Sequence, residues 1–221
     1  MRLGAPPDAS AANGSRWRIF RSRGIGSSPL PHPATHRILP LGGRVGERAG
    51  DAKRSEYALA LYSAPMLGKI VSGGQTGVDR AALDAALAAG LAAGGWCPRG
   101  RRAEDGAISD AYPLDETPSA QYRQRTEWNV RDSDATLILV RGAVSGGTAL
   151  AVQFAHAQGR PHRILRLGRP GALADEPAAT LAWIAEHGVA TLNVAGPRES
   201  QSPGIQAEAR AVLDALLAAA A

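Results

Sequence analysis

The chain has 221 residues, a net charge of +5 and a single cysteine, Cys97, which leaves no internal disulfide and no cysteine-cluster metal site. Its basicity is local. Residues 1–65 carry ten Lys/Arg against four Asp/Glu, while residues 66–221 carry fifteen against sixteen, so the totals ask for no nucleic-acid partner. No apolar run approaches the roughly eighteen residues a membrane helix needs, the opening residues lack the apolar stretch of a secretory signal, and the lone thiol suits a reducing compartment; a cytoplasmic protein without a membrane partner is expected.

Residues 1–65 are rich in Gly, Pro, Ser and Arg and lack sustained apolar periodicity, so they cannot offset chain entropy by burial. They are expected to be a disordered or mis-assigned N-terminal extension, with Met66, one of two methionines, as the natural start. A basic transit peptide is the functional alternative.

From Lys69 the pattern turns regular. Ile70-Val71-Ser72 predicts a strand, Val78 to Ala89 a helix, and Leu91 to Trp96 a weaker strand. Residues 97–118, punctuated by Pro98, Gly100, Gly106, Pro113 and Pro118, read as a long loop. A helix follows over Gln121–Asp132, then the unbroken apolar strand Ala135–Val140. Helices over Thr148–Gln158 and Glu176–His187 alternate with strands over Arg163–Leu167 and Ala190–Val194, and Ser202-Pro203 opens a last helix. Such alternation implies a three-layer α/β domain with a mostly parallel, Rossmann-like sheet over residues 66–221, and ligands of such sheets bind beyond the carboxyl ends of the strands.

Three strand-to-helix turns are therefore the candidate site. The first is Ser72-Gly73-Gly74-Gln75-Thr76-Gly77-Val78-Asp79-Arg80. Its glycines would let backbone amides meet an anion, and Arg80 would add a guanidinium. Asp79 either caps the helix or receives a hydroxyl or amino group of the ligand. On this reading Gly74→Asp abolishes binding and spares the fold. The run lacks the Gly-Lys-Ser/Thr ending of a Walker loop, and no acidic residue stands about twenty positions on, which disfavours NAD. The second turn, with Ser145, Gly146, Gly147 and Thr148, is another nest of amides. In the third, Gly196-Pro197-Arg198-Glu199, Arg198 would fork onto a phosphate or carboxylate.

Other residues have competing readings. Arg125 and Asn129 lie four apart on one helix face and either read a ligand edge or pair with neighbours. Glu104 and Asp105 are a solvated pair or an acid/base pair. Cys97 is better read as a packed thiol than as a soft metal ligand. The five histidines show no ligand spacing, so no intrinsic metal ion is predicted.

These turns, together with Gly95-Trp96-Cys97-Pro98-Arg99-Gly100, Ala103-Glu104-Asp105-Gly106 and Arg125-Thr126-Glu127-Trp128-Asn129-Val130-Arg131-Asp132-Ser133-Asp134, closely resemble the bacterial family named "putative molybdenum carrier proteins". That family lies in a circularly permuted branch of the SLOG superfamily of Rossmann-like domains. The resemblance spans about residues 68–217. It implies a binding or carrier protein whose glycine turns hold the phosphate of a pterin (molybdenum cofactor, molybdopterin) or of a nucleotide. It also leaves open a nucleotide-cleaving phosphoribohydrolase-like enzyme, with Glu104, Asp105 or Glu199 as the acid, and a nucleotide-sensing regulatory domain. Against the enzyme, Ala151 stands where the resembling cytokinin-activating enzymes carry a catalytic glutamate. Relatives of this fold tend to form homo-oligomers, but no interface is identifiable in the sequence.

Overall fold

The computed structural model describes residues 67–168 and 172–220; the expectations for residues 1–65 and for Met66 lie outside them. Five strands form one parallel sheet: β1 (Lys69–Val71), β2 (Ala92–Gly94), β7 (Ala135–Val140), β8 (His162–Arg166) and β9 (Thr191–Ala195), in the order β2-β1-β9-β7-β8. Among the described residues five helices flank the sheet: α1 (Val78–Ala88), α2 (Tyr122–Arg131), α3 (Gly146–Ala157), α4 (Ala172–Glu186) and α5 (Ile205–Ala218). The order places the topological switch at the centre. From β1 the chain crosses by α1 to the β2 edge, whereas from β7 it crosses by α3 to the opposite edge and returns through α4 to β9. The carboxyl ends of β1, β9 and β7 are consequently neighbours, with Val71 opposite Asn193 and Leu137 opposite Val194. The three glycine turns leave from these ends.

Strand β7 shows why the sheet is sandwiched. All six of its residues are buried, and successive side chains point to opposite faces. Leu137 and Leu139 join the cluster that includes Val78 and Ala82 of α1, Ile184 of α4 and Leu213 of α5. Ile138 and Val140 pack instead with Val130 of α2 and Ala151, Phe154 and Ala155 of α3. The expected three-layer Rossmann-like fold is present.

Residues 97–118 are more ordered than a punctuated loop suggests. They carry β3 (Trp96–Cys97) paired in parallel with β6 (Asp115–Glu116), and β4 (Arg102–Ala103) paired antiparallel with β5 (Gly106–Ala107). Cys97, Ile108 and Leu114 close over Leu83 of α1 as a third cluster. Arg101 is the organiser: its guanidinium donates to the carbonyls of Ile108 (3.0 Å), Ser109 (2.7 Å), Tyr112 (3.0 Å) and Leu114 (3.0 Å). Tyr112 then donates to Asp84 at 2.8 Å, and burial together with that carboxylate pushes its phenol up to about 12.

Candidate functional site

The first glycine turn is occupied by the protein itself. The Gln75 amide points at Asp79 Oδ2 (3.4 Å), the Thr76 amide at Gln75 Oε1 (3.1 Å), the Gly77 amide at Gln206 Oε1 (3.2 Å) and the Val78 amide at the Pro197 carbonyl (3.3 Å). Its glycines are sites of close packing. A Cβ on Gly73 would lie 1.9 Å from Arg125 Nη1, on Gly74 2.6 Å from Leu114 Cδ1, and on Gly77 2.5 Å from the Pro197 carbonyl oxygen. The expectation that Gly74→Asp spares the fold is corrected accordingly: that side chain would be driven into Leu114 and Ile108 at a backbone φ of +73°.

The second turn is the opposite case. A Cβ on Gly142 or Gly147 would meet nothing within 4 Å, and Ser145 makes no side-chain cap to α3. The first protein bond at this end is Ala149 N–H to the Ser145 carbonyl, 3.1 Å. No described residue accepts from the amides of Gly146, Gly147 or Thr148, so the start of a twelve-residue helix presents unpaired donors and the positive end of its dipole.

A cavity of about 210 Å³ opens against this helix end. Of the residues singled out in the sequence, Gln75, Asp79, Arg125 and Arg198 line it, with Gly147, Thr148 and Gly196. Tyr122, Thr126, Leu150, Ala195 and Gln201 complete the wall; neither spacing nor glycine content points to them. Gln75 Oε1 accepts from two amides, those of Thr76 and Glu104 (2.9 Å). Those two bonds fix the carboxamide orientation, with Oε1 turned to the backbone. Thr148 is 5% exposed, and its hydroxyl has no partner among the described residues. Asp79, 3% exposed, meets Arg125 Nη1 at 3.0 Å. Burial pushes its carboxyl up, and the Arg125 charge works against that rise. Arg198 approaches only Glu104, at 3.7 Å. The set holds more cationic and N–H donors than acceptors, which suits an oxyanion.

The remaining sequence candidates lie outside this wall, and most have structural partners. Arg80 grips Asp105 with two bonds of 2.5 and 2.8 Å. Asn129 pairs with the backbone of Trp96, accepting from its N–H (2.8 Å) and donating to its carbonyl (2.9 Å). Glu199 caps α5, accepting from the amides of Gly204 and Gln206 (3.0 Å). Thr76 donates to Glu104 and accepts from the Glu199 amide at 3.2 Å. Ser145 lines an adjacent cavity. Gly73, Gly74 and Gly77 are packed as described, and Gly146, at φ +53°, starts α3 without lining the first cavity.

The acids named for a cleavage reaction are likewise engaged. Desolvation acts to raise the Glu104 carboxyl, but hydrogen bonds from Ser200 and Thr76 and the Arg198 charge outweigh it and hold it low. The Arg80 hydrogen bonds hold Asp105 low. A general acid needs the reverse, a pKa raised toward the working pH. Burial pushes the Cys97 thiol up, away from the thiolate a metal ligand requires. No group of three or more His, Cys, Asp and Glu positioned to hold a metal occurs among the described residues, and none of their helices is long and apolar enough to cross a membrane.

Fold and site together define a Rossmann-like α/β protein with a cationic cavity at its topological switch. The chain belongs to the Circularly permutated YpsA SLOG family, whose model matches residues 70–217. It is similar to a crystal structure of "Putative molybdenum carrier protein" from Syntrophus aciditrophicus, with 42% identity and a TM-score of 0.67, over 69% of this chain and 96% of that one. No curated protein matches the sequence.

Proposed function

We propose that this protein is a carrier-like binding protein that holds a phosphorylated small molecule, a pterin or a nucleotide-like ligand, by its anionic group at the start of α3. The carrying observation is the run of unpartnered amides at Gly146, Gly147 and Thr148, the last two belonging to residues that line a cavity together with Arg125, Arg198 and Gln75. The similarity to a crystal structure of a protein named as a molybdenum carrier supports a carrier role. A molybdenum-bearing pterin would be held here by its phosphate, because the cavity offers no thiolate or imidazole for the metal itself. Glu104, Asp105 and Glu199 are fixed in structural bonds, which favours binding over cleavage.

Mass spectrometry of small molecules released from the denatured protein, alongside isothermal titration with inorganic phosphate, tests this reading. A phosphorylated species should be released, and phosphate should bind the emptied protein. Absence of both would remove the site. Release of free base from a nucleoside monophosphate would favour the enzyme instead.

A further inference from the structure

A second cavity, of about 350 Å³, adjoins the first and shares Thr148 and Gln201 with it. Val140, Gly142, Ala143 and Ser145 from the β7–α3 turn line one side, and Pro197 and Ser202 from the β9–α5 turn line the other. Its chemistry differs from that of its neighbour. Among the described residues the sole charged one in its lining is Arg141, already committed through Nε to Glu208 (2.6 Å) and through Nη1 to the Pro203 carbonyl (2.6 Å). No carboxylate among the described residues lines it. The hydroxyls of Ser145 and Ser202 have no hydrogen-bond partner among the described residues. The start of α3 therefore stands between a small cationic chamber and a larger one without free charge, with the unpartnered Thr148 hydroxyl, on a residue 5% exposed, in the wall common to both.

We infer that the second cavity holds the organic part of the ligand, and that this part is uncharged and hydroxyl-bearing, as in a sugar phosphate or a nucleoside monophosphate. The inference rests on the phosphate site proposed above and adds the body to which that phosphate is esterified. An anion in the first chamber and at the α3 amides can project its ester oxygen past Thr148 into the second. A free charge there would lose hydration without gaining a partner, whereas hydroxyls find Ser145, Ser202 and the Gln201 carboxamide. A pterin carrying an anionic metal–sulfur group would meet only Arg141 among the described residues of this lining, a cation already paired with Glu208.

Titration calorimetry with inorganic phosphate, ribose 5-phosphate and the four common nucleoside monophosphates tests the assignment, on the full chain and on Ala143→Trp. Ala143 lines the second cavity and not the first, so an indole there should crowd the second and leave the first intact. At least one ester should bind tenfold or more tighter than phosphate. Ala143→Trp should erase that difference and leave phosphate affinity unchanged. Ser202→Val, a smaller change that removes one hydroxyl, should reduce the preference severalfold. Equal affinity for phosphate and every ester, or a preference that survives Ala143→Trp, would overturn the inference and leave the phosphate site standing. Failure of phosphate itself to bind would overturn both.

Discussion

Arg125 reaches Asp79 at 3.0 Å by lying in the space that a side chain on Gly73 would need. The glycine, the guanidinium and the carboxylate are thus one unit on the cavity floor. Gly73→Ala places a methyl 1.9 Å from Arg125 Nη1, so the guanidinium must leave its ion pair. The expected loss is about 1–3 kcal/mol, typical of overpacking, together with loss of anion binding. Urea denaturation and phosphate titration on the same preparation read both effects.

The same pair sets a pH dependence. Burial raises the Asp79 carboxyl above its ordinary 3.8, and Arg125 restrains the rise. In Arg125→Gln the restraint is gone and the carboxyl climbs further. A folded-state pKa above the unfolded one makes the native protein bind the extra proton. Stability then grows as pH falls through the folded value and levels off below the unfolded one. Arg125→Gln should therefore gain stability relative to wild type between pH 7 and pH 4, measured by thermal unfolding. A constant difference across that range would show that Asp79 does not titrate there.

The two glycine-rich turns look alike in sequence and behave differently in the fold. Gly74→Ala meets Leu114 and Ile108 at a φ of +73°, so the expected loss is about 1–3 kcal/mol of stability, read as a lower denaturant midpoint. An unchanged midpoint would mean that residues 97–118 can yield.

What the sequence makes legible follows from periodicity. The apolar run Ala135–Val140 and the alternation of strands with helices place the sheet, its direction and the edge that carries the cavity. Glycine content points to turns that border the cavity but cannot show which glycines face open space. Gly74 is closed by Leu114, forty residues away, and Gly147 faces nothing; that distinction is tertiary. Arg80, Asn129 and Glu199 carry suitable chemistry, yet their partners Asp105, Trp96 and the α5 amides become neighbours only after folding. Residues 97–118 read as loop because their order comes from Arg101 binding four carbonyls, a pattern with no period.

Glu104 ties the loop after β4 to the third turn, accepting from Thr76 and from both the amide (3.1 Å) and hydroxyl of Ser200. Those bonds, with Arg198, overcome desolvation and hold its carboxyl below the usual 4.5. A lowered folded-state pKa contributes stability above the unfolded value that is lost as pH falls through the folded one. Glu104→Gln should be destabilised by about 1–2 kcal/mol at pH 7, and the gap to wild type should narrow as the pH drops below about 4.5. Thermal melts at pH 7 and pH 3.5 give the comparison. A gap independent of pH would assign the loss to packing rather than charge.

Gly147→Asp separates binding from folding. The position is exposed, has no atom within 4 Å of the added Cβ and lies in the first turn of α3. A carboxylate there favours the helix, by about 0.3–1 kcal/mol from the dipole and by a few tenths more from replacing glycine. It also sets a fixed negative charge where the ligand's anion is proposed to sit. Thermal stability should hold or rise, while phosphate affinity should fall at least tenfold. A variant that keeps full phosphate affinity would move the anion away from α3, since no bound oxyanion at those amides would tolerate the new charge.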